Sequence, residues 1–137
     1  MKIFLVSFFS FLLISSCSDS YDSVDDILNG TWNVANVSGG FVGMDQDFES
    51  GTITWTFDAS SSVLTVVNNN VLVDIIYDGL DSGTYSYSIL IIDSKNYLVI
   101  DDQEFAGISF ANELLFLNQN EISTGSGADS FSILLAP

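Results

Sequence analysis

The pattern of this chain predicts an all-β fold: a small antiparallel up-and-down β-barrel of eight or nine strands, preceded by a short helical turn. Three observations carry the prediction. From about residue 30 onward, apolar and polar residues alternate with period two, and no stretch holds an apolar 3.6 period for long. Clusters of Asp, Asn, Ser and Gly interrupt the alternation at short intervals, as hairpin links do. The single proline is Pro137, so none breaks a strand. Closing the meander into a barrel removes exposed edges; a two-sheet sandwich fits the same pattern.

Taken in order, Ser18 to Asp26 (SDSYDSVDD) is polar and acidic and reads as a tether. Its end suits one helical turn, Ser23 to Leu28, with Ser23 as N-cap and Asp26 in the capping-box position. A strand is expected at Thr31–Val37, followed by a longer loop from Ser38 to Ser50. Gly51–Asp58 is the clearest strand: Ile53, Trp55 and Phe57 face one way, Thr52, Thr54, Thr56 and Asp58 the other. Val63–Val67 is a weaker strand. Val71–Tyr77 puts Val71, Val73, Ile75 and Tyr77 on one face. Thr84–Ile91 repeats the alternation, with Tyr85, Tyr87, Ile89 and Ile91 opposite Thr84, Ser86, Ser88 and Leu90. Tyr97–Asp101, Ala106–Phe110, Glu113–Asn118 and Phe131–Leu135 complete the set, with Gly125-Ser126-Gly127 as a flexible link. The side chains expected to face the interior, as core or as ligand contacts, are Trp32, Val34, Ile53, Trp55, Phe57, Tyr85, Tyr87, Ile89 and Phe116. Their size favours a filled core over a pocket.

Ahead of the domain, Lys2 gives a basic start, and Ile3 to Ile14 is an almost unbroken apolar run closed by Ile14-Ser15-Ser16-Cys17. The run has the length of a signal-peptide core. Small residues before a lone Cys resemble the lipobox of bacterial lipoproteins. That resemblance implies removal of residues 1–16 and acylation of Cys17, which would anchor the chain in a membrane through its lipid. The expected organisation is a signal peptide at 1–16, an acidic tether at 17–26 and a barrel domain at 27–137.

Leu28-Asn29-Gly30-Thr31-Trp32 follows the helical turn and opens the first strand. It resembles the Gly-x-Trp opening of lipocalin-like domains, and with the later Gly83-Thr84-Tyr85 it is similar to the short lipocalin-like lipoproteins of Bacteroidota. The resemblance implies that Trp32 plugs one end of the barrel while Gly30 lets the chain turn closely over it. Typical lipocalins stack an arginine on that Trp; this chain has none. Cys17-Ser18-Asp19-Ser20-Tyr21-Asp22 is similar to the acidic export signal of the same group, which implies an outer-membrane protein on the cell surface. Asp22-Ser23-Val24 matches the Asp-Ser/Thr-aliphatic pattern that such bacteria O-glycosylate, implying a glycan on Ser23.

Charge and composition exclude a good deal. The chain has 18 acidic residues, two basic ones and a formal charge of −16. Loss of residues 1–16 would leave Lys95 as the one cation. Such a surface repels nucleic acid and anionic headgroups. There is no His, and the one Cys rules out an internal disulfide. The usual nucleophile–base pairs and zinc sites therefore lack their parts. Ser94 and Lys95 fall together in a turn, a poor frame for a Ser–Lys pair. Neither Gly39-Gly40 nor Gly125-Ser126-Gly127 is followed by the Lys and helix of a phosphate loop. No carboxylates pair up as a glycosidase would need, and the sequence reads as non-catalytic. Calcium is the better use for acidic side chains: Asp45, Asp47 and Glu49 sit at alternate positions of a long loop. The first functional expectation is binding of a small apolar or sugar-like ligand. The second is an accessory envelope lipoprotein that presents a surface to a protein partner.

Overall fold

The computed structural model describes residues 23–137; the expected signal peptide, Cys17 and the first part of the expected tether lie outside the described residues. α1 (Val24–Leu28) is followed by β1 (Gly30–Gly39), β2 (Met44–Asp47), β3 (Ile53–Asp58), β4 (Val63–Asn68), β5 (Gly83–Ile92) and β6 (Lys95–Ile100). β7 (Gln103–Ala111), β8 (Leu114–Asn118), β9 (Glu121–Ile122), β10 (Gly125–Ser126) and β11 (Phe131–Ala136) complete the order. The main sheet runs β11-β8-β7-β6-β5-β4-β3-β1, and β11 pairs with β1, so eight antiparallel strands close into a barrel. β2 is an added ninth strand of that sheet, bonded to the far half of β1 beyond the end of β3. β9 and β10 form a separate small hairpin, where the sequence reads a flexible link.

The helical turn forms for the reason its sequence suggests. The Ser23 hydroxyl accepts from the Asp26 N–H (3.2 Å) and donates to the Asp26 carboxylate (2.8 Å), which also receives the Ser23 N–H, a reciprocal capping box. A helix this short is held by packing rather than propensity. Leu28 is fully buried, and its carbonyl accepts the Trp32 indole N–H at 2.8 Å. Gly30 then turns at φ 126°, a region closed to residues with a Cβ.

Strand pairing puts the period-two faces together. Trp32 lies opposite Trp55, Trp55 opposite Val66, Phe57 opposite Leu64 and Leu98 opposite Ala106. Two irregularities bend the sheet. Between Val34 and Asn36 the β1–β11 register slips by one at Ala35, so Trp32, Val34 and then Val37 face inward. A second slip, at Leu98/Val99, leaves Phe105 as the extra residue of β7, where it meets Trp55 with ring centres 5.8 Å apart. Three two-residue hairpins, Asp93-Ser94, Asp101-Asp102 and Asn112-Glu113, carry positive φ at both positions, the backbone that matches the twist of paired strands.

One expected strand does not form. Val71–Tyr77 has strand composition and alternation, yet it belongs to the irregular connection between β4 and β5. Among the described residues no strand pairs with it, and its apolar residues divide. Val71, Leu72, Val73 and Ile76 are exposed, while Tyr77 and Leu80 pack on the core.

Candidate functional site

Because the strands alternate in direction, the β1–β3, β4–β5, β6–β7 and β8–β11 connections share one end of the barrel. α1 and the three remaining turns share the other. The α1 end is plugged. Leu28 and Trp32 fill it, Phe110 lies against Trp32 with ring centres 6.3 Å apart, and the Asn29 side chain receives the Ala59 N–H at 2.9 Å. At the base of β3, the exposed Asp58 carboxylate takes hydrogen bonds from Ser60 and Ser61, which hold its pKa below the ordinary carboxylate value.

The loop end is covered by the 69–82 connection. Its two roots are tied across the top of the strands: the Asn68 N–H donates to the Ser82 hydroxyl (2.8 Å), which in turn donates to the Asn68 carbonyl (3.2 Å). Asn70 Nδ2 reaches Asp78 at 2.8 Å within the same connection. Tyr77 stacks on Phe131 with ring centres 4.4 Å apart, and its hydroxyl accepts from Gln119 Nε2 at 2.8 Å. Gly79, at φ 99°, lies over Trp55, where a Cβ would sit 3.5 Å from the indole ring, in ordinary contact.

Between these caps the interior is occupied by side chains. Ile53, Trp55, Phe57 and Tyr87, all expected inside, are buried there with Trp32 and Val34. Tyr85 and Ile89 are half-buried and pack against the core, and the Tyr85 hydroxyl donates to the Asp81 carbonyl at 2.8 Å. Phe57 and Tyr87 meet edge to face at 5.1 Å. Phe116 is a correction: it is 37% exposed and points outward, while Leu115 and Leu117 on either side of it are fully buried. The segment Leu114–Leu117 is apolar on both faces. The pairing of Leu117 with Ile108 and Ile133 sets which face turns in. Phe116 instead lines an outer groove of about 310 Å³ with Asn36, Ser109 and Ser132. Four grooves formed by the described residues open on the surface, and none of the four is lined by Trp32, Trp55, Phe57 or Tyr87.

Among the described residues two interior polar atoms lack a partner: the Trp55 indole N–H and the Tyr87 hydroxyl. Burial, and then repulsion from Asp25 and Asp58, pushes the Tyr87 phenol above its usual pKa of 10.0. Burial likewise raises Tyr77, against the opposing bond from Gln119.

The expected calcium ligands are brought together only in part. Asp45 and Asp47 share one face of β2, and Asn36 Nδ2 donates to both carboxylates at 2.8 Å. Among the described residues no three carboxylates converge closely enough to hold a metal ion, so Glu49 does not complete a site with them. The amide of Asn36 bridges the Oδ1 atoms of the two carboxylates.

Sequence reasoning missed what stands outside the loop end. Phe41 and Val42 at the β1–β2 tip are 88% and 68% exposed, and Val71 and Val73 are 87% and 92% exposed. It also missed β2, whose alternation of Met44 and Gln46 with Asp45 and Asp47 is too polar to stand out. Comparison of the chain with family models, curated proteins and solved structures finds no match.

Proposed function

We propose that this chain is a non-catalytic, lipid-anchored envelope protein of the lipocalin-like type, whose barrel is a rigid stand for a protein-docking surface at its loop end. The observation that supports docking over an internal ligand is the contrast between inside and outside. Trp55, Phe57, Leu64 and Leu98 fill the interior, while Phe41, Val71, Leu72 and Val73 stand in solvent. A small apolar or sugar-like molecule in the barrel would have to displace large buried side chains. Exposed apolar clusters of this kind mark interaction surfaces in soluble domains.

The Ile14-Ser15-Ser16-Cys17 segment supports anchoring through acylated Cys17, with palmitate among the fitting acyl groups. The acidic residues after it support export to the outer face of the outer membrane. Cys17 precedes Ser23 by few residues; at about 3.5 Å per residue that chain reaches at most about 20 Å. An anchor so close to α1 sets the plugged end toward the membrane and the loop end away from it. Photo-crosslinkers placed at Val42 and at Leu72 in the envelope-resident protein test the reading. Both are expected to trap protein, and a crosslinker at Glu113, at the opposite end, is not. Labelling equal at the two ends, or absent from the loop end, refutes it. Intact mass of the membrane-extracted protein tests the anchor: a mature N-terminus other than Cys17, or no acyl mass, removes that part.

A further inference from the structure

We propose that the free edge of β2 accepts an extended, Lys/Arg-bearing segment of a partner protein as an added strand; the proposal rests on the docking reading above and names the chemistry of its partner. Among the described residues, β2 ends the order of the main sheet and pairs with β1 alone. The Phe48 N–H donates to the Ala35 carbonyl, which makes 35/48 a hydrogen-bonded pair. By the alternation of antiparallel ladders, 37/46 and 39/44 are bonded too, and the N–H and C=O groups of Asp45 and Asp47 point away from β1. The Asp47 carbonyl is met there by the side-chain amide of Gln46 at 2.7 Å, a contact a new strand can replace.

This edge is one wall of a trough. Leu72, Val73, Asp74 and Ile75 line a groove of about 230 Å³ with Gln46, and Leu72 also lines one of about 350 Å³ between Asp47–Glu49 and Asn69–Val71. An added strand alternates its side chains between two faces. On the Gln46 face it meets the apolar Leu72 and Val73; on the Asp45/Asp47 face it meets carboxylates. The 40–52 connection carries Asp45, Asp47 and Glu49, the 69–82 connection carries Asp74, Asp78 and Asp81, and neither carries a cation. Charge therefore selects the occupant. A second copy would bring the same carboxylates against these, and an anionic membrane surface would be repelled, whereas an alternating basic–aliphatic segment finds complements on both faces.

The experiment uses the full acylated chain in detergent and a capped hexapeptide of alternating Lys and Val. Its controls are the same peptide N-methylated at alternate residues, so that it cannot form a ladder, and a Glu–Val hexapeptide. The expected result is saturable binding of the Lys–Val peptide, with the Asp45 and Asp47 amides slowed in hydrogen exchange. Binding should weaken about tenfold or more in Val73→Ser, a fully surface-side change, and in Asp47→Pro, which removes an outward N–H. Equal binding of the N-methylated peptide reduces the effect to bulk charge and overturns the proposal. So does exchange protection elsewhere, binding of the Glu–Val peptide, or a peptide-free dimer that Asp47→Pro dissolves. Crosslinking from Val42 without Leu72, together with peptide failure, removes this inference and leaves docking standing; loss of both crosslinks removes docking itself.

Discussion

Replacing Tyr87 by Phe should stabilise the barrel, although it deletes a polar atom from a buried tyrosine. The Tyr87 side chain is 5% exposed and its hydroxyl has no hydrogen-bond partner. An unmet buried hydroxyl costs about 1–3 kcal/mol, so its removal returns on the order of 1 kcal/mol once some local relaxation is allowed. The ring contact with Phe57 survives the change. Tyr77→Phe is the matched control: that hydroxyl accepts from Gln119, so its loss strands an amide and should cost roughly 1 kcal/mol. Urea denaturation of the two variants beside the parent gives opposite shifts in midpoint at unchanged slope. A pH series adds a second readout. Both phenols are raised above 10.0 in the folded state, so the fold keeps protons that the unfolded chain releases. Their contribution is complete below about pH 10 and is lost as pH climbs through the folded values, and Tyr87→Phe should lessen that alkaline loss. A destabilised Tyr87→Phe would refute the reasoning, because it would mean the hydroxyl is satisfied by a buried water.

The remaining predictions concern packing and the acidic strand. Trp55→Ala should cost about 3–5 kcal/mol in chemical denaturation, and Thr54→Ala, on the opposite face, far less; equal losses would overturn the face assignment. Phe116→Ser should stay within about 1 kcal/mol of the parent, since its ring is on the outer wall; a loss as large as that of Trp55→Ala would return it to the core. Gly107→Ala should displace the β9–β10 hairpin, because a Cβ there would come within 2.8 Å of Glu121 Cβ; an unchanged Ser123 amide resonance would count against that packing. Calcium at millimolar concentration should raise the melting temperature no more than sodium at equal ionic strength, because Asn36 already bridges Asp45 and Asp47; a calcium-specific shift would restore the metal reading.

Much of this architecture is written in local pattern. Ile53, Trp55 and Phe57 alternate so cleanly with threonines that strand, face and core membership follow together. Ser23 and Asp26 announce the helix start because both halves of the capping box lie within one turn of chain. The phase of β8 was less legible: Leu114, Leu115, Phe116 and Leu117 satisfy either face, and the choice is made by Ile108 and Ile133 on neighbouring strands. The pairing of Asp45 and Asp47 through Asn36 was equally hidden, since it depends on the register between β1 and β2.

Val71–Tyr77 differs in kind from those misses, and it ties the fold to the proposed function. Its alternating Val, Val, Ile and Tyr are what a strand needs from its side chains, but a strand also needs a ladder. β4 stops at Asn68, where Ser82 bonds both backbone groups of that residue and turns the chain out of the sheet. The segment then spends Tyr77 and Leu80 on covering the barrel mouth and leaves Val71, Leu72 and Val73 outside. Sequence periodicity reports what a segment could pair with; here the intramolecular partner is missing, and the unpaired edge of β2 lies across the trough from it. Strand-forming residues without a strand, beside an edge with no further neighbour among the described residues, fit the docking of an extended segment proposed above.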